Sequence, residues 1–200
     1  MIFHSLMFLG STMNHMPDKT MFPDPKYKVY VSYHHCIEDQ EYRNHFEEIL
    51  LANQDVVIMK SVQIENIESN LDVETIREKY LKDSTVTVVL IGFDTWQRKQ
   101  VDWEIGASIA TTKNNPRSGL LGIILPTYHK NDTFKYNEHT IPPRLYDNIK
   151  CGFSSIHNWD TDPFIIQRWI HDAFERKTRF DSDNSRSIFA DNLLGSEWHS

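Results

Sequence analysis

Two short runs most restrict what this chain can become. "TVTVVLIG" (85–92) and "GLLGIIL" (119–125) are almost wholly apolar. Such short, almost unbroken apolar runs read as strands buried on both faces. A strand covered on both sides belongs inside a sheet sandwiched between helices. The flanking sequence agrees. "KVYVSY" (28–33) alternates as a first strand, and "DVVIMKSV" (55–62) is a second. "EDQEYRNHFEEILLAN" between them carries Tyr42, Phe46, Ile49 and Leu50 at helical spacing. "LDVETIREKYLKD" (71–83) reads as a helix capped by Asp72, with Ile76, Tyr80 and Leu81 inward. Pro126 stops the fourth strand, and "TYHKNDTFKYNEHTIPPRLYDN" reads as a long polar loop leading to a short strand near "SSIHNW" (154–159). "DPFIIQRWIHDAFERKTR" closes with an amphipathic helix, Pro163 in its first turn. About five strand–helix alternations predict an α/β, flavodoxin-like three-layer fold with a central, mostly parallel five-stranded sheet. Right-handed crossovers favour the order 2-1-3-4-5.

One domain is expected over 26–177, after an extension over 1–25 and before a tail over 178–200. The opening "MIFHSLMFLGSTMNHM" lacks an early Lys or Arg and an A-x-A site, so it is not read as a signal peptide. It is too short and polar to cross a membrane. In the tail, "SIFADNLL" is expected to dock as one short turn and the rest to stay loose. The formal net charge of −7 argues against a general nucleic-acid binder, which needs basic residues against phosphates. Cys36 and Cys151 are isolated thiols, as suits a reducing cytoplasm. No metal is expected: His34, His35 and Cys36 are consecutive, and in extended chain they point to alternating sides.

In such sheets ligands lie beyond the carboxyl ends of the strands, where strand order reverses. That point falls between the first and third strands. The loops "SYHHCIED" from Ser32 and "IGFDTWQRK" from Ile91 meet there, bringing Ser32, Tyr33, His34, Phe93 and Asp94 into candidate substrate-binding positions. No glycine-rich phosphate loop is present, so a nucleotide would be held by stacking and side chains. A response-regulator receiver shares the topology but needs acidic residues where this chain has Ser32 and Gly92.

The next segment, "VDWEIGASI", holds an oddity. On a helix with Val101, Ile105 and Ser108 facing inward, Glu104 falls about 60° from Val101, on the border of the apolar face. Its helical neighbours, Gln100, Val101, Ala107 and Ser108, include no base. A helix starting at Asp94 would leave Glu104 about 15 Å along its axis, too far from the strand ends. "DTWQ" is therefore expected to form a separate turn, with the main helix starting near Arg98 or Lys99.

These residues resemble a known family. "VYVSYHHCIED" is similar to the opening strand and loop of a TIR domain. "STVTVVLIGFDTWQRKQVDWEIGASI" resembles the third strand and following helix of the TIR-like proteins of the Thoeris antiphage system, with its S-x-V-x-x-V-L-I-G, T-aromatic-x-R and V-x-x-E-I elements. The resemblance covers roughly 26–177 and implies cleavage of NAD, as substrate with no cofactor, at the nicotinamide–ribose bond. It further implies closure of ADP-ribose into a cyclic isomer that signals to a separate effector protein. The family's catalytic glutamate maps to Glu104, its substrate-lining aromatic to Tyr33 and the neighbouring polar position to His34. Self-association through TIR contacts is expected, with Trp103, about 160° from Ile105 on the wheel, marking the surface. The bland alternatives stand beside these: Arg43 pairing with Asp39 or Glu47, Asp94 capping a helix with Gln97, Trp96 and Trp103 as packing residues. A non-catalytic TIR-like scaffold, or a hydrolase of another nucleoside, remains open.

Overall fold

The computed structural model describes residues 27–51, 56–59, 72–128 and 136–199. Its core is one five-stranded sheet, all parallel, in the order β2-β1-β3-β4-β5. The strands are β1 (Tyr27–Ser32), β2 (Val56–Ile58), β3 (Val86–Ile91), β4 (Gly119–Ile124) and β5 (Ser154–Asn158). The helices are α1 (Ile37–Leu51), α2 (Val73–Lys79), α3 (Lys99–Ile109), α4 (Pro143–Lys150) and α5 (Pro163–Arg179). The expected extension over 1–25 and the end of the second strand run, from Lys60, lie outside the described residues.

The two-faced strands do what their composition requires. Alternate side chains of β3 enter different cores. Val86, Val88 and Leu90 pack with Phe46 and Leu50 of α1 and with Ile166, Ile170 and Ala173 of α5. Val89 and Ile91 pack with Val101 and Ile105 of α3 and Leu145 of α4. The period of two therefore builds both layers from one apolar run. β4 opens on Gly119 because α5 crosses there: a Cβ would lie 2.2 Å from the backbone oxygen of Ala173. Asp72 caps α2 as expected, accepting from Thr75 N at 2.7 Å. Arg77 of that helix is buried, a feature its sequence did not announce, and donates to Leu81 O, Ser84 and Ser118.

Three expectations are corrected. The stretch read as loop over 127–148 contains the first six residues of α4, which starts at Pro143, where a proline's fixed φ and missing N–H cost nothing, and buries Leu145. The tail is not loose. After α5 it crosses α4 and α3 as an irregular strap held by side chains. Arg144 and Asp102, both buried, pair at 2.8 Å, and Arg144 also donates to Asn184 Oδ1, Arg186 O and Ser187 O of the strap. Asp102 accepts from Phe189 N at 3.0 Å. Asn192 Oδ1 accepts from Lys99 N, satisfying one of the open donors at the start of α3. Trp198 is buried and donates through Nε1 to Ile141 O. A polar composition concealed this, because the strap is fixed by hydrogen bonds to buried partners more than by apolar burial.

Trp103 is corrected with it. The wheel places it opposite Ile105, but that face is closed. Trp103 packs with Tyr30, Ile76, Leu81 and Ala107, and its Nε1–H donates to Phe189 O at 2.7 Å. It is therefore not an open contact surface. Residues 101–109 of α3 are buried all round. Among the described residues no helix is long and apolar enough to cross a membrane.

Candidate functional site

α3 begins at Lys99 because the chain first makes a separate 3-10 turn, Thr95–Gln97, then passes through extended Arg98. Thr95 Oγ1 accepts from Gly92 N at 2.8 Å, folding that turn back on the end of β3. This detour brings Glu104 level with the carboxyl end of β1.

The carboxylate of Glu104 is met by one face of β1. Tyr30 and Ser32, two apart on the strand, point to the same side. Tyr30 donates its phenol to Oε1 at 2.7 Å, Ser32 donates its hydroxyl to Oε2 at 2.5 Å, and Gln100 adds its amide at 3.0 Å from one turn earlier. Glu104 is 1% exposed. Burial, and then the charge of Glu104, push the Tyr30 phenol well above its ordinary pKa, so it remains a donor. Ser32 was expected to line substrate, and its buried hydroxyl instead holds Glu104; Tyr30 and Gln100 were not expected there. The alternation that makes Tyr30 a companion of Ser32 was the available signal.

The other candidates occupy different places. Tyr33, on the opposite face of β1, is buried in the α1/α5 core. Its hydroxyl donates to Gln40 at 2.5 Å and its ring stacks on His35. His34, Phe93 and Asp94 line a cavity of about 390 Å³ together with Cys36, Glu38, Asp39, Pro126 and Thr127. That volume suits part of a nucleotide. Burial, then Arg98, lower the His34 pKa. Asp94 makes no capping bond; its carboxylate lies 3.5 Å from Arg98. Arg43 pairs with Glu47 at 2.5 Å, one of its two expected partners. A larger cavity, about 660 Å³, opens beyond β4 and β5 and is lined by His157, Trp159 and Trp169 among others. It is off the switch point. Glu104 is among the lining residues of neither cavity.

Asp39, which the sequence offered only as a partner for Arg43, has a different place. It is 1% exposed, in the first turn of α1. Thr127 donates to it at 2.6 Å, and it lies so close over Gly92 that a Cβ there would meet its Oδ2 at 2.2 Å. Burial pushes its carboxyl pKa up. The metal expectation weighed three consecutive residues. The fold instead gathers residues two and three apart: a ligand atom from each of His34, Cys36 and Asp39 lies within 4.8 Å of the others.

The five-stranded parallel sheet in the order β2-β1-β3-β4-β5 is a flavodoxin-like α/β fold, the architecture a TIR-like domain has. The family model described as the Thoeris protein ThsB, TIR-like domain, matches residues 30–132, and the chain belongs to that family. No curated protein matches the chain.

Proposed function

We propose that the protein is an NAD-consuming enzyme that breaks the nicotinamide–ribose bond and closes ADP-ribose into a cyclic isomer, a diffusible signal read by a separate effector. The observation that carries this is Glu104, fixed from two sides by Tyr30 and Ser32 at the switch point. Nicotinamide leaves with the glycosidic electron pair and becomes neutral, so no acid need protonate it. The positive charge passes to the ribose ring, which then takes up water or a nucleophilic atom of its own ADP-ribose. A preorganised carboxylate stabilises that oxocarbenium-like state. The chemistry needs no cofactor. Self-association belongs to this reading, since NAD is long enough to be gripped by two subunits.

The near-complete burial of Glu104 favours a second reading, a TIR-like scaffold in which Glu104 only ties α3 to β1. Turnover of NAD by wild type and Glu104→Gln, over a series of protein concentrations and with products identified, separates them. The expected result is a loss of about 100–1000-fold in the variant, the scale of one preorganised electrostatic group, with the melting temperature retained. Equal rates in both proteins would remove Glu104 from the mechanism. No turnover of NAD by wild type at any concentration would leave the scaffold or a hydrolase of another nucleoside, which a panel of nucleotides separates.

A further inference from the structure

The geometry points to a cation site at the mouth of the smaller cavity, in which His34, Cys36 and Asp39 hold a borderline-soft divalent ion of the zinc class. This proposal is independent of NAD cleavage.

The three side chains converge for local reasons. Cys36 N donates to His34 O at 2.9 Å. That turn brings the side chains of residues two apart to one side. Cys36 immediately precedes α1, its carbonyl accepting from Gln40 N at 3.0 Å, and Asp39 leans back toward it from the first turn, as helical side chains do. The ligand atoms lie within 4.8 Å of one another. A tetrahedral zinc site with the usual bond lengths sets its ligand atoms about 3.3–3.7 Å apart. Closure by little more than an ångström, a side-chain adjustment, completes three coordination positions.

Asp39 is built as such a ligand. The Thr127 bond and the close floor of Gly92 fix its carboxylate, the outer support that orients metal-binding carboxylates. Among the described residues it has no Lys or Arg partner. A buried carboxylate without a cation is costly, and an ion supplies one. The donor set is nitrogen, thiolate sulfur and carboxylate oxygen. The sulfur disfavours Mg²⁺ and Ca²⁺ and suits Zn²⁺. Three protein ligands facing a cavity leave the fourth position open to water or a small ligand. On binding, the Cys36 thiol gives its proton to solvent and coordinates as thiolate.

Cobalt(II) is the probe, titrated into the full chain under reducing, chelator-free conditions. The expected result is a near-ultraviolet thiolate-to-cobalt charge-transfer band, with visible bands of four-coordinate cobalt, saturating at one ion per chain and abolished by zinc. Cys36→Ser should lose the charge-transfer band. Serine is a preferred residue at the start of a helix, so this variant should keep its fold, as circular dichroism will check. Cys151→Ser, at the exposed second thiol, should keep the band. His34→Gln should weaken binding. Absence of the band in wild type would overturn the proposal. So would its survival in Cys36→Ser, its loss in Cys151→Ser, or unchanged affinity in His34→Gln, which would reduce the effect to adventitious binding by a thiol.

Discussion

Replacing Asp102 by alanine should loosen the strap and leave the sheet intact. Asp102 is 3% exposed and its partner Arg144 1%. It holds Arg144 through two bonds, 2.8 and 3.2 Å, and accepts from the strap at Phe189 N. The substitution strands a buried guanidinium and a backbone donor together. Breaking a buried pair from one side costs about 3–5 kcal/mol, of which the carbonyls of Arg186 and Ser187 cannot restore the charge. For a chain of this size each kcal/mol lowers the melting temperature by about 2–4 °C, so a fall of about 6–20 °C is expected. Asp102→Ala combined with Arg144→Met should be less destabilised than Asp102→Ala alone, because no charge is left unpaired. Chemical denaturation gives the energies, and limited proteolysis should cut the single variant first within 180–198. A loss under about 1 kcal/mol, the range of an exposed pair, or a double variant weaker than the single, would refute the reasoning.

Gly119→Ala should cost about 3 kcal/mol or more, at the upper end of overpacking, since its methyl would meet the backbone of Ala173, which cannot rotate away. A melting temperature within about 2 °C of wild type would contradict that approach. His157 is held below its ordinary value of 6.5 by burial and then by Arg176, against a smaller opposing pull from Asp172. The unfolded chain therefore takes up this proton first as pH falls, and stability should drop below about pH 6.5 until the folded-state pKa is passed. His157→Gln should flatten that part of the denaturation profile, and an unchanged slope would assign the loss to other groups.

The sheet was legible because its signals are local. Val86–Ile91 are apolar at every position but Thr87, and only burial on both faces uses such a run. Glu104 was legible as an anomaly, a carboxylate beside an apolar face without a helical partner. What answers it is remote: Tyr30 and Ser32 lie 74 and 72 residues away. No helical wheel contains them, although the strand period groups them. α4 was missed because a polar loop and a short helix share a composition, and only its Pro-Pro start and the spacing of Leu145 and Ile149 mark the difference. The wheel was correct about where Trp103 points and incorrect about what lies there, since a wheel describes one helix and the cover comes from Tyr30, Ile76 and Leu81 and from Phe189, 86 residues later. Asp39 resembles any acidic residue in a first helical turn until Gly92 and Thr127 close over it.

That separation of 86 residues between Trp103 and its acceptor at Phe189 also sets a schedule. A ribosome adding about 5–20 residues per second needs roughly 4–17 s to pass from one to the other. During that interval α3 has been made but its outer face lacks the strap. An indole and a carboxylate destined for the interior stand in water, and the start of the helix has open amide donors. Helices form in microseconds and small domains in well under this time. Synthesis, not folding, is therefore the slow step in closing this face. The nascent chain passes through a stage with one flank bare, where Asp102, Arg144 and the indole N–H of Trp103 still lack their bonds to the strap. The helix that carries Glu104 is thus among the last parts of the molecule to be locked in place.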